Sequence, residues 1–272
     1  MSSSIRVATA DVGRVRITQI TDMHLFAETS GCLLGLNTQD SFDAVMTQAL
    51  QDAPDLVLVT GDLAQEPCQA AYGRLATELG RFGKPVFFLP GNHDVPALMA
   101  EHFTGPYIHH QKQILAGNWQ ILMLDSSVAG KVYGTLAESE LAFLERALAE
   151  HPEHHALVVL HHQPVPIGSR WLDGIGLRNN EEFFGVLSRH PQVRLVLWGH
   201  VHQDFSGERD GIRLLATPSS CVQFKPGSED FAAGAEAPGY RVLKLATSGA
   251  VETSVRRVEH MEFTVDYSIK GY

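Results

Sequence analysis

The chain has 272 residues, a formal net charge of -10 and a hydrophobic fraction of 44%. This hydrophobic fraction is enough for a large core, and a charged fraction of 19% argues against a disordered chain. Because an acidic surface repels phosphate backbones, the composition argues against nucleic acid as a partner.

The spacing of the cysteines and the lengths of the apolar runs predict the cellular location of the protein. Cys32, Cys68 and Cys221 are odd in number and far apart, so they form neither a disulfide framework nor a metal knuckle. Residues 1–15 lack the apolar segment of a secretory signal, and no apolar run approaches the roughly 20 residues of a membrane-spanning helix. We therefore expect a soluble, cytoplasmic protein without a membrane partner, either a monomer or a homodimer.

Apolar strands alternate with amphipathic helices through most of the chain. The predicted strands are Val15–Ile20, Leu56–Thr60, Val86–Leu89, Gln120–Leu124, Ala156–Leu160, Val193–Trp198 and Ile212–Ala216. The predicted helices are Ser41–Leu50, Glu138–Ala149 and Glu181–Arg189. This alternation is typical of α/β proteins, in which helices cover buried strands.

The C-terminal part has strands without a helix between them. Strands are predicted at Tyr240–Ala246, Val251–Val258 and Glu262–Ser268, and the Gly- and Pro-rich segment Ser228–Gly239 is predicted to be a loop. Neither an internal repeat nor a long linker divides the chain. We expect residues 1–272 to form a single domain, in which the β-rich residues 206–272 complete the second of two sheets.

Five of the predicted strands end in Asp, Asn or His. These strand ends are Asp22-Met23-His24, Gly61-Asp62, Gly91-Asn92-His93-Asp94, His161-His162 and Gly199-His200-Val201-His202. Because the carboxyl ends of neighbouring strands in an α/β sheet line one crevice, we expect these side chains to meet. Asp-x-His alone has little weight, whereas Gly-Asn-His-Asp arises by chance in roughly one chain per thousand.

Seven residues at these strand ends are candidate metal ligands. They are Asp22, His24, Asp62, Asn92, His161, His200 and His202. All offer oxygen or nitrogen and none offers sulfur, which suits Mn, Fe, Zn or Co and disfavours a closed structural zinc site. Two four-coordinate metals need eight contacts from seven residues, so one carboxylate must bridge the pair.

The whole pattern, within residues 15–205, resembles the calcineurin-like metallophosphoesterase superfamily. The resemblance implies a four-layer α/β/β/α sandwich of two mostly mixed sheets. It implies one metal held by Asp22, His24, Asp62 and His202, and a second held by Asp62, Asn92, His161 and His200. It implies a catalytic His93 and a substrate bound against His24, Asp62, Asn92, His93 and His202.

Further stretches resemble the bacterial class III 3′,5′-cyclic-AMP phosphodiesterases. They are Gly61–Gln65, Leu160–His162, Leu177–Asn179, Ala216–Pro226 and Gly271-Tyr272. This implies hydrolysis of cyclic AMP to 5′-AMP by in-line attack of a metal-bridging hydroxide, which lowers cellular cyclic AMP. Two divalent or trivalent ions are implied, with iron and manganese favoured and zinc or cobalt as alternatives. The alternative substrates are a glycerophosphodiester, a nucleotide pyrophosphate, a phosphomonoester or another cyclic nucleotide. The alternative to an enzyme is a non-catalytic scaffold protein.

The sequence does not decide which residue orients His93 and stabilises its imidazolium form. Many superfamily members have an aspartate three residues after the bridging aspartate, where this chain has Gln65. A neutral amide supports an imidazolium less than a carboxylate does, so Glu66 or Asp94 are further candidates for this support. Adjacent strand residues face opposite sides, so we assign His161 rather than His162 as the ligand.

The substrate contacts outside the metal site are also left open. Arg178 and Asn179 are candidate contacts, with an ordinary surface position as the alternative. Trp171, Tyr133 or Phe224 are candidates to stack on an adenine ring, and the sequence does not choose among them.

Overall fold

The computed structural model describes residues 4–259 and 261–271, and most of its strands lie in two large sheets. The strands are β1 (Ile5–Val7), β2 (Arg14–Ile20), β3 (Cys32–Leu33), β4 (Leu36–Asn37), β5 (Leu56–Thr60), β6 (Val86–Leu89), β7 (Ile108–His109), β8 (Gln113–Ala116), β9 (Trp119–Met123), β10 (His155–Val159), β11 (Val193–Trp198), β12 (Phe205–Arg209), β13 (Ile212–Ala216), β14 (Gly239–Ala246) and β15 (Val251–Arg257). The α-helices are α1 (Thr38–Ala49), α2 (Gln69–Gly80), α3 (Pro96–His102), α4 (Glu138–Glu150), α5 (Arg170–Asp173) and α6 (Asn180–Leu187).

Both large sheets mix parallel and antiparallel strands. The seven-stranded sheet has the order β1-β8-β9-β10-β11-β13-β12, and the six-stranded sheet has the order β15-β14-β2-β5-β6-β7. In the six-stranded sheet β2, β5, β6 and β7 are parallel, and in the other sheet β9, β10, β11 and β13 are parallel. The predicted site residues follow the carboxyl ends of five of these strands, β2, β5, β6, β10 and β11.

The two sheets pack face to face, and helices cover their outer faces. On β5, Leu58 points into an apolar core shared with Ile121 and Leu157 of the other sheet. Its neighbour Val59 points the opposite way and packs with Phe42 of α1 and with residues of α2 and α3. Helices α4, α5 and α6 pack in the same manner on the seven-stranded sheet. The predicted four-layer α/β/β/α sandwich is confirmed.

Most predicted elements lie where the sequence placed them. β5, β6, β11 and β13 have the predicted bounds, β2, β14 and β15 differ from the prediction by one residue at one end, and β9 and β10 are shifted by one residue at both ends. Helix α1 begins at Thr38 rather than Ser41, because the Asn37 side chain accepts a hydrogen bond from the Asp40 backbone N–H and caps the helix. Helices α2, α3 and α5 were not individually predicted.

The predicted strand at Glu262–Ser268 is wrong. This segment has no strand pairing among the described residues, although its apolar side chains do alternate with polar ones. Phe263 and Val265 are half-buried against a small cluster around Leu33 and Leu36, and the Asp266 N–H donates to the Leu34 carbonyl. The alternation therefore reports burial against a loop rather than membership of a sheet.

The residues that follow the metal motifs supply strands to both sheets. β12 and β13 extend the seven-stranded sheet, whereas in the six-stranded sheet β14 pairs with β2 and β15 pairs with β14. Within the described residues, every helix is too short or too polar to cross a membrane.

Candidate metal centre

The predicted site residues follow five parallel strands at one edge of the sandwich. β2, β5 and β6 place Asp22, His24, Asp62, Asn92 and His93 from one sheet. β10 and β11 place His161, His200 and His202 from the other sheet. The ligand atoms of Asp22, Asp62 and His161 lie within 4.8 Å of one another, as do those of Asp22, His24 and His202. The structure thus brings residues far apart in the chain into one cluster.

Left-handed backbone conformation is concentrated at this cluster. Of the eight non-glycine residues with positive φ among those the structure describes, five are predicted ligands. They are Asp22 (φ 55°), His24 (47°), Asp62 (51°), His200 (65°) and His202 (48°). Each such residue costs about 1–3 kcal/mol, and strain of this kind collects where a side chain must be aimed at a functional site.

Two glycines of the motifs allow the strand ends to approach closely. A Cβ atom on Gly91 would lie 2.1 Å from Asp62 Oδ1, and one on Gly199 would lie 2.2 Å from Thr21 Oγ1. Both distances are below any ordinary contact, so only glycine fits beside the two carboxylate-bearing turns. The glycines in the sequence motifs therefore serve packing of the site itself.

The first predicted ligand set contains two imidazole nitrogens that face each other. His202 Nδ1–H donates to the Val222 carbonyl at 2.7 Å, and His24 Nδ1–H donates to Gln65 Oε1 at 2.7 Å. Both Nε2 atoms then carry lone pairs, and they lie 3.2 Å apart. Burial lowers the pKa of His24 to about 3, so a proton between them is unfavourable. A metal cation would satisfy both lone pairs.

The second predicted set contains buried atoms without hydrogen-bond partners. Among the described residues, Asn92 Oδ1, His161 Nε2 and His200 Nε2 make no hydrogen bond. His161 Nδ1–H donates to the Thr60 carbonyl at 2.8 Å, which leaves the Nε2 lone pair directed into the site. Buried polar atoms are rarely left unpaired, so this set fits a cation bound by oxygen and nitrogen.

Asp62 lies between the two sets. Its Oδ2 atom is 3.3 Å from His161 Nε2 and 3.6 Å from His24 Nε2, while Oδ1 accepts the His93 backbone N–H at 2.9 Å. Asp22 Oδ1 is 3.4 Å from His202 Nε2 and 4.0 Å from His161 Nε2. Asp62 therefore has the position that a bridging carboxylate requires.

The field of the carboxylates favours positive charge in this buried site. Burial disfavours the imidazolium of His161, yet the negative charge of Asp62 overrides this effect and raises the pKa of His161 to about 9. Without a cation, Nε2 of His161 would therefore carry a proton at neutral pH, and a bound metal ion would take the place of that proton. Burial alone would raise the pKa of Asp62, but His161 and His93 hold it well below its usual range. Asp62 is thus ionised at neutral pH, and the donor set suits two divalent cations.

His93 borders the site from the solvent side. It is half-buried, and its ring packs edge-on against the His24 ring at 4.8 Å between centroids. It lines two cavities that open beside Asn92. His93 can therefore reach a bound molecule while its backbone stays fixed to Asp62.

The candidates for supporting His93 have other partners in the structure. Gln65 pairs with His24, and Glu66 is exposed. Asp94 accepts hydrogen bonds from the backbone N–H groups of Leu63, Ala64 and Gly91 and from the Tyr72 hydroxyl. These bonds give Asp94 a structural role in holding the turn that carries His93.

The structure shows the contacts of three residues whose roles the sequence did not decide. His162 lies beside the second ligand set: a ring nitrogen lies within 4.8 Å of the ligand atoms of His161 and His200, and its Nε2 is buried without a hydrogen-bond partner in the described part of the chain, while its Nδ1 is 2.8 Å from Ser126 Oγ. Asn179 bonds the backbone of Leu136 with both ends of its amide, and the Arg178 guanidinium lies over the Tyr133 ring. Asn179 therefore joins two loops.

Some residues around the site had no sequence signal. The carbonyls of Thr60 and Val222 orient two of the histidines, and a main-chain carbonyl leaves no trace in residue identity. Phe231 lies in the Gly- and Ala-rich loop and lines a cavity beside His200. An isolated aromatic residue in a loop does not indicate a cavity until the fold is known.

Comparison with known proteins identifies the family. Residues 15–204 match the calcineurin-like phosphoesterases. The chain is 44% identical to the 3′,5′-cyclic adenosine monophosphate phosphodiesterase CpdA of Escherichia coli K12, over 100% of both chains. It is 43% identical to the protein of that name from Pseudomonas aeruginosa, over 95% of each. The fold is similar to a dimetal phosphatase from Danio rerio, with a TM-score of 0.62 and 16% identity over 91% of this chain and 100% of the other.

These matches confirm the resemblance to bacterial cyclic-AMP phosphodiesterases that the sequence motifs indicated. The family match covers the five strand ends that carry the predicted ligands, and the relatives extend the similarity through the C-terminal strands. The chain belongs to the calcineurin-like phosphoesterase family.

Proposed function

We propose that this protein is a phosphodiesterase that hydrolyses 3′,5′-cyclic AMP to 5′-AMP with two bound metal ions, and so lowers cellular cyclic AMP. The observation that carries the proposal is the set of buried ligand atoms without hydrogen-bond partners among the residues that the structure describes, Asn92 Oδ1, His161 Nε2 and His200 Nε2, beside the facing His24 and His202. The choice of cyclic AMP rests on the names of relatives that match the whole chain.

The proposed metal ligands are those implied by the family pattern. Asp22, His24, Asp62 and His202 hold one ion, and Asp62, Asn92, His161 and His200 hold the other. Bound cations of this kind lower the pKa of water so that hydroxide is available near neutral pH, and they neutralise charge on phosphoryl oxygens. Iron and manganese are the proposed metals, with zinc and cobalt as alternatives for an oxygen and nitrogen site.

His93 is the proposed catalytic residue. In its protonated form it hydrogen-bonds the phosphate and gives its proton to the ribose O3′ as the P–O3′ bond breaks. A hydroxide ion derived from water supplies the oxygen of the new P–O bond, which forms opposite the departing O3′, and the phosphate stays on O5′ to give 5′-AMP. The half-buried position of His93 at the mouth of the site suits this transfer. His24, Asp62, Asn92 and His202 border the position proposed for the phosphate.

Product analysis tests the substrate. The full chain, reconstituted with Mn²⁺, is offered 3′,5′-cyclic AMP, 3′,5′-cyclic GMP, 2′,3′-cyclic AMP and a glycerophosphodiester. We expect 5′-AMP from 3′,5′-cyclic AMP, with loss of turnover on chelation of the metal. Turnover of the glycerophosphodiester alone would replace the proposed substrate, and no turnover of any ester would favour the scaffold alternative.

Gln65 is expected to tune metal affinity through His24. Gln65→Leu removes the acceptor that fixes the His24 Nδ1–H tautomer, at 2.7 Å in the structure. Loss of such an outer partner weakens metal binding by about 10–100-fold. A Mn²⁺ titration of the metal-free protein by calorimetry measures this. The neighbouring exposed Glu66→Ala serves as the control and should keep wild-type affinity. Equal Mn²⁺ affinity in both variants would show that Gln65 does not support metal binding through His24.

Three further expectations from the sequence stay predictions. These are the single domain over residues 1–272, the cytoplasmic location and the monomeric or homodimeric state. The free thiols of Cys32, Cys68 and Cys221 agree with a reducing compartment.

A further inference from the structure

An apolar cavity of about 230 Å³ opens directly beside the candidate metal centre. Its lining combines predicted site residues with aromatic and aliphatic side chains. The site residues are Asn92, His93 and His200, and the aromatic residues, called the aromatic wall below, are Trp171, Phe224 and Phe231. A cavity that joins polar catalytic groups to an apolar wall has the character of a binding site for an amphipathic small molecule.

The aromatic wall is held in place by contacts with the site itself. The Phe224 ring stacks on the His202 ring, with centroids 4.1 Å apart and planes 7° from parallel. Trp171 packs edge-on against Phe224 and Phe231 at 5.0 and 5.1 Å. The Trp171 indole N–H donates to Ser228 Oγ at 3.1 Å, which fixes the plane of the indole. These contacts hold the aromatic wall in position beside the site.

We propose that this cavity binds the purine base of the substrate, with Trp171 and Phe231 as the residues that contact the ring. The inference rests on the proposed function, since it concerns the same site. In a 3′,5′-cyclic nucleotide the base and the cyclic phosphate project from different sides of the ribose. The cavity likewise is lined both by His93 and Asn92 and by aromatic rings. Stacking on aromatic side chains is a general way to bind a nucleobase.

The other surroundings of the site fit a base less well. A second cavity, of about 390 Å³, also contacts Asn92 and His93. Its remaining lining includes Asp125 and Ser127 and, within the described part of the chain, contains no Phe, Tyr or Trp. Tyr133, the third candidate from the sequence, packs under the Arg178 guanidinium at 4.5 Å and does not line the aromatic cavity.

Kinetics with a base-free substrate test the pocket. The Mn²⁺-loaded full chain is assayed on 3′,5′-cyclic AMP and on the 3′,5′-cyclic phosphate of 1-deoxyribose, which has the same scissile bond without a base. For Trp171→Leu we expect the kcat/KM for cyclic AMP, divided by the kcat/KM for the base-free substrate, to fall about 5- to 150-fold. Most of this fall should come from a higher KM for cyclic AMP. Tyr133→Leu is the matched control and should keep the wild-type ratio. If Trp171→Leu folds poorly, Phe231→Leu should lower the same ratio.

A binding measurement separates failure of the pocket from failure of the proposed function. Trp119 and Trp198 are fully buried, whereas Trp171 is half-buried, so quenching of tryptophan fluorescence reports on Trp171. We expect 5′-AMP to quench the wild-type signal and ribose 5-phosphate to leave it unchanged. If the protein hydrolyses cyclic AMP but Trp171→Leu and Phe231→Leu keep the wild-type ratio of kcat/KM values, the proposed base-binding pocket is wrong and the proposed function stands. Quenching by 5′-AMP without hydrolysis of cyclic AMP overturns the proposed function and keeps the pocket.

Discussion

Replacing Asp62 by asparagine should remove both metal binding and activity. The change keeps the shape of the side chain but removes the negative charge that lies between His161 and His24. Because Asp62 is the one residue proposed to contact both ions, we expect metal binding at least about 100-fold weaker, the upper end of the range for losing an outer partner. Turnover should fall on the order of 10³-fold or more, above the loss of one transition-state donor. Elemental analysis and steady-state kinetics measure the two losses.

Asp55→Asn is the matched control for this variant. Asp55 is a buried carboxylate just before β5, and Asp62 follows the other end of the same strand. Asp55 accepts hydrogen bonds from the backbone N–H groups of Ala10 and Arg16. The control should lower thermal stability and leave the metal content unchanged. Wild-type metal content in Asp62→Asn would refute the bridging role.

The apolar strands of the sandwich were readable from the sequence because burial on both faces demands continuous apolar runs. β5 is such a run, and so is β11 from Leu195 onward, after the exposed Arg194; the predicted bounds of both strands match the structure. Short edge strands carry a weaker signal. β1 and β7 have two or three residues, and their existence depends on the partner strand rather than on local pattern. The segment 262–268 shows the converse case, in which a strand-like pattern satisfies burial without a sheet.

The candidate site was predictable to the extent that its residues stand at strand ends. Asp62 and His200 were predicted because each follows an apolar run and a glycine. The partners that orient them were not predictable, because contacts such as Gln65 with His24 join distant turns. The sequence suggested Gln65 as a support for His93, and only the three-dimensional arrangement shows its bond to His24. The aromatic wall likewise could not be predicted, because Trp171 of α5 packs against Phe224 and Phe231, which lie more than 50 residues later in the chain.

His93→Ala should lower the rate of hydrolysis and leave metal binding unchanged. The imidazole is removed, but the backbone N–H that donates to Asp62 Oδ1 remains, so the bridging carboxylate keeps its position. We expect wild-type metal content with a loss of about 10²–10⁴-fold in kcat, the usual range for a lost general acid. The loss should be smaller for a diester whose leaving group is an acidic phenol, because such a group departs without a proton.

That leaving-group dependence distinguishes proton donation from a structural role. His102→Ala, at the end of α3 and away from the lining of both cavities beside the site, controls for the loss of a histidine and should retain turnover on both substrates. If His93→Ala lost equal activity on the alkyl and the phenol ester, His93 would be placing the phosphate rather than protonating O3′. If the variant lost its metals, its ring contact with His24 would be needed to hold the centre together. Wild-type kcat on cyclic AMP would end the catalytic assignment, since no other imidazole among the described residues lines both cavities beside Asn92.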